Sequence, residues 1–411
     1  MCRRTIALIL SLSFGTALAD GLSFDDALRQ AEANAPDLKA AEARRTSAAE
    51  AVEAADALPD PRAFVGLENV PIEGPDRFSL QRDFMTMQTM GVMQEFPNAG
   101  KRRAREAMAE AEAGSEEATL RLTRIKVHQE AAAAWLRRYY LERRREVLAS
   151  LTQENETLQQ TMTAQVRTGR KRPGDVLLAR QEALSLADRQ DEIERELTMA
   201  DAMLRRWTGV GATPLTGEPP RFNDDPESWR THVQHHPALQ RFKPEAERAR
   251  AELHEAEAAR RPDWGVELAY QNRGDTFGDM MSLQVSADLP LFTRTRQTPQ
   301  IRAKQQKLAS IEAEQEAMRR EHQAALEGDI ARIIALKRQR DRFEKEAIPL
   351  AHERVALELS AYRAGTGELS SVLGARRELL ELQQKQLQLQ SDYETRLASL
   401  HYLFDNQEAR P

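Results

Sequence analysis

The sequence has a single cysteine, Cys2, so neither a disulfide framework nor a cysteine-based metal site can be built from it. Cys2 lies in an expected secretion signal, where Arg3 and Arg4 precede an apolar run and a small-residue cleavage site follows at 17–19. We expect residues 1–19 to be removed, which leaves a mature chain that begins near Asp20 and contains no thiol. The absence of thiols permits an oxidising compartment such as the periplasm but does not require one.

Long apolar runs are also absent after that segment, because none approaches the roughly 18 to 20 residues that a membrane-spanning helix needs. If the protein crosses a membrane, it must therefore do so with strands. Aromatic residues make up only 5% of the chain, whereas charged residues make up 30%. This balance leaves little for a conventional globular core and favours long, solvated helices.

An excess of positive charge is missing as well. The formal net charge is −6, and it becomes −8 once the two arginines of the signal are removed. A chain with this acidic balance is not expected to bind nucleic acid. No Ser-His-Asp arrangement, phosphate-binding glycine loop or matched acid and base stands out, so we expect no catalysis and no cofactor.

An internal repeat is the main feature that the sequence does contain. The segment 166–169, followed by 175–177, returns as 362–365 and 371–373 with the same spacing. We predict a first repeat over 20–208 and a second over 236–411, each running helix, strand, strand, helix, helix. Residues 209–235, which begin with a Gly- and Pro-rich stretch, are the expected linker.

Each repeat has two segments in which large apolar side chains alternate with small or polar ones, the period of a β-strand. Each segment is about ten residues long, as a tilted transmembrane strand requires. The large side chains of one face are Ala63, Val65, Leu67, Met90, Val92, Phe96, Trp264, Val266, Leu268, Tyr270, Met281, Leu283, Val285 and Leu289.

Four strands cannot close on themselves, and an open sheet in lipid would leave unpaired backbone groups that cost several kcal/mol each. Known membrane barrels begin at about eight strands. The strands of several copies must therefore complete one wall. Three copies would give twelve strands, although the sequence alone leaves other numbers open.

The helices have unusual length. Residues 99–168 contain no proline, so about 70 residues can run as one helix of roughly 105 Å. Apolar residues at 148, 151, 158 and 162 recur at spacings of three, four or seven, which favours coiled-coil packing. The matching helix of the second repeat, 298–364, contains Pro349, which should kink it or mark a joint.

These features resemble the TolC-like outer-membrane efflux family over essentially the whole mature chain. The marks are the duplication, the strand that ends in Gln94–Pro97 and is followed by Gly100–Arg102, and the two glycine-containing turns. The resemblance implies a mainly helical homotrimer with long hairpins in a periplasmic α-barrel and four strands per copy in a shared outer-membrane β-barrel. It also implies a periplasmic adaptor and an inner-membrane pump, of the RND type, as partners.

By this resemblance, the two turns form the periplasmic entrance and contact the adaptor. Tyr362 matches a tyrosine of the network that closes the enterobacterial channel, but glycine or serine stands at the other three places, so the closing network must differ here. Asp175 and Glu368 are either gating carboxylates or acids favoured at helix N-termini. The residues expected at this entrance are Arg167, Thr168, Gly169, Asp175, Tyr362, Arg363, Gly365 and Glu368.

The stretch 76–101 resembles the heavy-metal branch of the family more than the branches that export drugs or proteins. Alternation along the second strand places Met85, Met87 and Met93 on the side of Glu95, the expected lumen side. Thioethers are soft ligands suited to Cu(I) or Ag(I), but methionine also fills irregular packing. Any metal contact would have to be weak and transient for conduction.

Two alternatives to a metal duct stay open. One is an outer-membrane duct for drugs or exported proteins. The other is a soluble periplasmic coiled-coil scaffold, which would have no use for a sheet with an exposed apolar face. His232, His235 and His236 form a further cluster beside Pro237, which we interpret as a solvated helix start rather than as a metal site.

Overall fold

The computed structural model describes residues 21–168, 172–209, 211, 213–233 and 236–404. The expected signal at 1–19, which includes Cys2, lies outside these residues, as do Gly169 and His235. The chain forms two compact units. The sheet unit contains Pro36–Arg124 and Glu227–Glu327, and the hairpin unit contains the residues up to Ala35, Ile125–Pro226 and the residues from Gly328 onward.

The sheet unit is built on four antiparallel strands in the order β1-β2-β3-β4. These strands are β1 Arg62–Glu68, β2 Met87–Phe96, β3 Trp264–Asn272 and β4 Met280–Ala287. They lie where the alternation predicts them, with seven, ten, nine and eight residues rather than ten in each. The register places Val92 of β2 opposite both Ala63 of β1 and Leu268 of β3.

Helices make up most of the remaining described chain. The shorter ones are α1 Phe24–Asn34, α2 Pro36–Ala55, α5 Pro226–His232, α6 Pro237–Gln240, α7 Phe242–Ala258 and α9 Ile348–Arg363. The longer ones are α3 Ala99–Arg167, α4 Pro173–Thr208, α8 Gln297–Arg342 and α10 Leu369–Phe404. None of the helices in the described ranges is both long and apolar enough to span a membrane.

The longest helix, α3, has 69 residues and confirms the uninterrupted helix predicted from the lack of proline. At 1.5 Å per residue it is roughly 100 Å long. Both α3 and the 46-residue α8 pass from the sheet unit into the hairpin unit.

Pro349 marks the predicted joint. It lies in the first turn of α9, directly after one π-helical turn, Phe343–Ala347. The backbone N–H of Ile348 donates to the carbonyl of Phe343, five residues earlier. Because Pro349 has no N–H to donate, the α-helical ladder cannot continue through it unchanged, and the wider turn absorbs the mismatch.

The core of the hairpin unit consists of apolar seams between its helices. Leu148, Leu186, Ile193 and Leu380 form one buried cluster, which confirms the seam predicted around Leu148. Arg376 of α10 pairs with Glu154 of α3 at an N–O distance of 3.4 Å. The packing is therefore of the coiled-coil kind, with charged residues at its margin.

His236 is buried rather than solvated, so the interpretation of the histidine cluster as a solvated helix start is wrong for this residue. It is 7% exposed, and its ring stacks on His322 of α8 with 3.7 Å between the ring centroids. Its Nδ1 accepts the backbone N–H of Ala238 at 3.1 Å. The sequence could not reveal this pairing, because His322 lies 86 residues away in the second long helix.

Burial lowers the pKa of His236 to about 4, and the neighbouring His322 contributes to the shift. Burial also lowers the pKa of His322, an effect that Glu321 opposes and Arg241 reinforces. Both rings are therefore neutral at neutral pH. The stacked pair requires this state, since two charged rings at that separation would repel each other.

We expect the folded state to lose stability as the pH falls from about 6.5 to about 4, because only the unfolded chain binds a proton at His236 in this range. The shift corresponds to about 3 kcal/mol in the free energy of unfolding. The variant His236→Asn can still accept the Ala238 N–H and should lose this part of the pH dependence. The measurement is denaturant unfolding at several pH values.

The matched control for this prediction is His254→Asn, because the side chain of His254 is 71% exposed. This variant should keep the full pH dependence of the wild type. An identical pH dependence in the wild type and in His236→Asn would contradict the prediction.

Candidate functional sites

Two turns join the helices at one end of the hairpin unit. The first lies between Arg167 and Pro173, and the second between Arg363 and Leu369. Gly365 has a φ of +76°, and its N–H donates to the carbonyl of Tyr362 at 3.1 Å. This left-handed conformation ends α9 and favours glycine.

Tyr362 connects the second turn to the first hairpin. It is 8% exposed and packs in a cluster with Met162 of α3 and Val372 of α10. Its hydroxyl donates to Sδ of Met162 at 3.2 Å and lies 3.5 Å from Oδ2 of Asp175, in the first turn of α4. One side chain from α9 therefore contacts both helices of the first hairpin.

The structure divides the predicted entrance residues into two groups. Asp175 and Tyr362 point into the cluster between the hairpins, where they lie close together. The others in the described chain are exposed at the turns, and Gly169 lies outside the described residues. The exposed group is Arg167, Thr168, Arg363, Gly365 and Glu368.

A groove lined by both polar and apolar side chains lies beside Tyr362, between α3 and the second hairpin. Its volume is about 540 Å³. Glu154, Gln165, Arg363 and Arg376 are among the residues that line it, so both signs of charge are present. The internal repeat, which matches residues 166–169 with residues 362–365, is the sequence feature that could have pointed to this groove.

The sheet has one apolar face and one mixed, largely polar face. Residues opposite one another across antiparallel strands share a face. The row Ala63, Val92, Leu268 and Leu283 is apolar, and the neighbouring row Arg62, Met93, Glu267 and Gln284 is largely polar. Large side chains on the apolar face are widely exposed: Val65 84%, Leu67 57%, Met90 57%, Trp264 52%, Met281 74% and Leu283 70%.

The three methionines of the predicted metal contact are not brought together. Met87 and Met93 lie in β2 on the polar face, six residues apart, which is roughly 20 Å along a strand. Met85 precedes the strand and is 48% exposed. One ion cannot reach Met87 and Met93 at once, so any thioether contacts would have to be made separately.

A junction between the two halves of the chain was not predicted from the sequence. Asn98, which follows β2, donates from its backbone N–H and its side chain to Oδ1 of Asp263, at 2.8 and 2.9 Å. Lys101 pairs with the other oxygen of Asp263. Although burial opposes it, these bonds hold the pKa of Asp263 below its ordinary value.

The junction explains which residue types occur in the segment that follows β2. Gly100 lies so close to α7 that a Cβ at this position would be 2.9 Å from Cβ of Ala258. Asn98 also donates to the carbonyl of Ala258 at 3.2 Å. The asparagine, glycine and lysine together attach the start of α3 to the residues before β3.

No group of three or more His, Cys, Asp or Glu side chains in the described part of the chain is arranged to hold a metal ion. This finding concerns those residue types alone and does not bear on the methionines.

The family model described as "Outer membrane efflux protein" matches residues 27–210 and 231–404. No curated protein matches the chain. The fold is also found in solved structures of low sequence identity. The outer membrane protein VceC of Vibrio cholerae is 20% identical and has a TM-score of 0.73, with 92% of this chain and 95% of that chain covered.

Two further structures have the same fold. The CmeC outer membrane channel of Campylobacter jejuni is 11% identical, with a TM-score of 0.76 over 93% of this chain and 85% of that chain. A membrane protein of Pseudomonas aeruginosa is 15% identical, with a TM-score of 0.79 over 92% of each chain. At these identities the similarity establishes the fold alone.

We expect Gly100→Ala to lower the stability of the sheet unit by about 1–2 kcal/mol, because the added methyl group must displace Ala258. The matched control is Gly328→Ala in α8, where an added Cβ meets nothing within 4 Å. That change should stabilise the protein by up to about 1 kcal/mol through helix propensity. Denaturant unfolding of both variants checks the prediction, and equal effects at the two glycines would contradict it.

Proposed function

Since this chain belongs to the outer membrane efflux protein family, we propose that three copies form one duct that carries its cargo passively from the periplasm to the outside. The family consists of outer-membrane transport channels, so the chain is a channel component and not an enzyme. The proposal includes a cleaved signal at 1–19, a first repeat at 20–208, a linker at 209–235 and a second repeat at 236–411.

The observation that carries the proposal is the four-stranded sheet with an exposed apolar face. β1 and β4 are its edges, and a strand edge in lipid leaves backbone N–H and C=O groups unpaired. Pairing β4 of one copy with β1 of the next satisfies these groups. Three copies then give twelve strands, with the apolar face toward lipid and the polar face toward the lumen.

The exposed residues of the two turns support a periplasmic adaptor as the partner that binds there. Arg167 and Arg363 present positive charge, and Glu368 presents negative charge, near the groove beside Tyr362. An adaptor of complementary charge would be guided to this surface. An inner-membrane pump of the RND type would then supply the energy that the duct lacks.

The cargo that we propose is a heavy-metal cation, of the Cu(I)/Ag(I) or the Zn/Co/Cd group. Support comes from the resemblance of the stretch 76–101 to the heavy-metal branch and from the thioethers on the expected lumen face. Their separation along β2 suits weak, successive contacts, because tight binding would slow release.

We expect the purified protein to conduct ions across a planar bilayer, with a higher conductance for Tyr362→Ala. This change removes a buried ring that joins the hairpins, at a cost of about 3–5 kcal/mol. Tyr362→Phe keeps the ring and loses only the hydroxyl contacts to Met162 and Asp175, so its effect should be smaller. The measurement is single-channel conductance.

Leu357→Ala is the matched control, because Leu357 lies on the same helix and is 72% exposed. It should conduct like the wild type. A protein that stays monomeric in detergent and conducts nothing would overturn the duct, whereas equal conductance of all variants would overturn only the role of Tyr362.

We expect deletion of the gene to lower growth on at least one of copper, silver, zinc, cobalt and cadmium. Unchanged tolerance to all five, with new sensitivity to drugs or lost protein secretion, would reject the metal cargo and favour a duct for drugs or exported proteins.

Complementation of the deletion strain with Met85→Leu/Met87→Leu/Met93→Leu should leave Ag(I) tolerance about two-fold below that of the wild type. The exposed pair Met199→Leu/Met203→Leu in α4 is the control, and equal effects would remove the methionines from the proposal.

A further inference from the structure

A row of arginines lies at the end of the sheet where the helices join it. β2 ends at Phe96 and continues into α3, β3 begins at Trp264 after α7, and β4 ends at Ala287 before α8. The register places Phe96, Trp264 and Ala287 side by side at this end. The segments 259–263 and 288–296 therefore lie next to each other along this rim.

These two segments contain Arg260, Arg261, Arg294 and Arg296, which we call the rim arginines. All four are exposed. Arg260 donates from Nη2 to the hydroxyl of Thr298 at 3.3 Å, two residues beyond Arg296. The backbone N–H of Asp288 donates to the carbonyl of Asp263 at 2.9 Å, which also joins the two segments.

The rim arginines form no ion pair within the described part of the chain. In the described chain, none of the four guanidinium groups has a carboxylate oxygen within 4.0 Å. The two segments contain two acidic residues, Asp263 and Asp288, and Asp263 is already bonded to Lys101 and Asn98. Four arginines therefore face solvent, and Asp288 is the one acidic residue of these segments that is not already bonded to Lys101 and Asn98.

Apolar side chains lie directly beside this charge. Trp264 is 52% exposed on the apolar face, and Leu291 and Phe292, within the second segment, are each 75% exposed. The backbone N–H of Arg296 donates to the carbonyl of Phe292 at 3.0 Å, which closes a turn that presents the phenyl ring and the arginines together. Large apolar groups next to clustered arginines are the composition of a membrane interface.

We propose that the rim arginines bind the phosphate groups of anionic phospholipids in the leaflet that faces the periplasm. Guanidinium groups bind phosphate oxygens in pairs, and clusters of basic residues at a membrane surface recruit anionic lipids. The inference rests on the proposed function, in which the apolar face of the sheet meets lipid and the helices are periplasmic. To that function the inference adds the class of lipid that is bound and the residues that hold the sheet at one depth in the membrane.

Trp264 is a built-in reporter for this site, because the other tryptophans, Trp135, Trp207 and Trp229, are 5% exposed or less. The full chain is reconstituted in vesicles of phosphatidylcholine and phosphatidylglycerol, with bromine on the chains of one lipid or the other. Bromine quenches tryptophan fluorescence only at short range, so quenching reports which lipid lies beside Trp264. The expected result is that the wild type favours phosphatidylglycerol by about three-fold or more over its bulk fraction.

In the variant Arg260→Gln/Arg261→Gln/Arg294→Gln/Arg296→Gln, this preference should fall to nearly one. The matched control removes four exposed helical arginines of the hairpin unit, Arg180→Gln/Arg332→Gln/Arg338→Gln/Arg342→Gln, and should keep the preference. A test without any variant is to raise the salt from about 0.05 M to about 0.5 M, which should weaken the preference of the wild type by screening.

Equal quenching by the two lipids in the wild type would overturn the site and favour packing of Leu291 and Phe292 on the next copy. An equal loss of preference in both quadruple variants would also overturn it, since net charge alone would then explain the effect. No quenching of Trp264 by either lipid would instead show that the sheet is not in the membrane. That outcome rejects the proposed function, and the lipid site with it.

Discussion

The hydrogen-bonded pairing of β2 with β3 is the interaction on which the remaining structure depends. β2 belongs to the first half of the chain and β3 to the second, so this pairing joins the two halves of the sheet. Its register brings Phe96 beside Trp264 and thereby brings Asn98 within hydrogen-bond distance of Asp263. A slip of one residue would exchange the apolar and polar faces of one half relative to the other.

The same register explains why the start of α3 carries small and polar residues. With β2 and β3 paired, the connector after β2 meets the connector before β3, and both backbones approach α7. Gly100 permits that approach, while Asn98 and Lys101 satisfy the carboxylate of Asp263, which would be costly to bury without partners. The segment after β2, which carries part of the family resemblance, therefore has a structural role: it attaches the start of α3 to the residues before β3.

In the hairpin unit, long helices are held together by a small number of apolar side chains. Long solvated helices have little apolar surface, so narrow seams such as that of Leu148, Leu186, Ile193 and Leu380 must hold them together. At the turns the seam ends in Tyr362, whose ring and hydroxyl connect helices that are far apart in sequence. Residues that face outward at the same turns, such as Arg363 and Glu368, remain available to a partner.

The sequence by itself determined the secondary-structure elements that show a local pattern, such as alternation of side chains or the position of proline. Alternation located all four strands and their apolar face, the lack of proline located α3, and Pro349 located the joint before α9, because these patterns depend only on local backbone geometry. The tertiary structure alone decided which distant side chains meet. The stacking of His236 on His322 and the bonds of Asn98 and Lys101 to Asp263 both depend on where the chain returns in space, and residue spacing carries no information about that return.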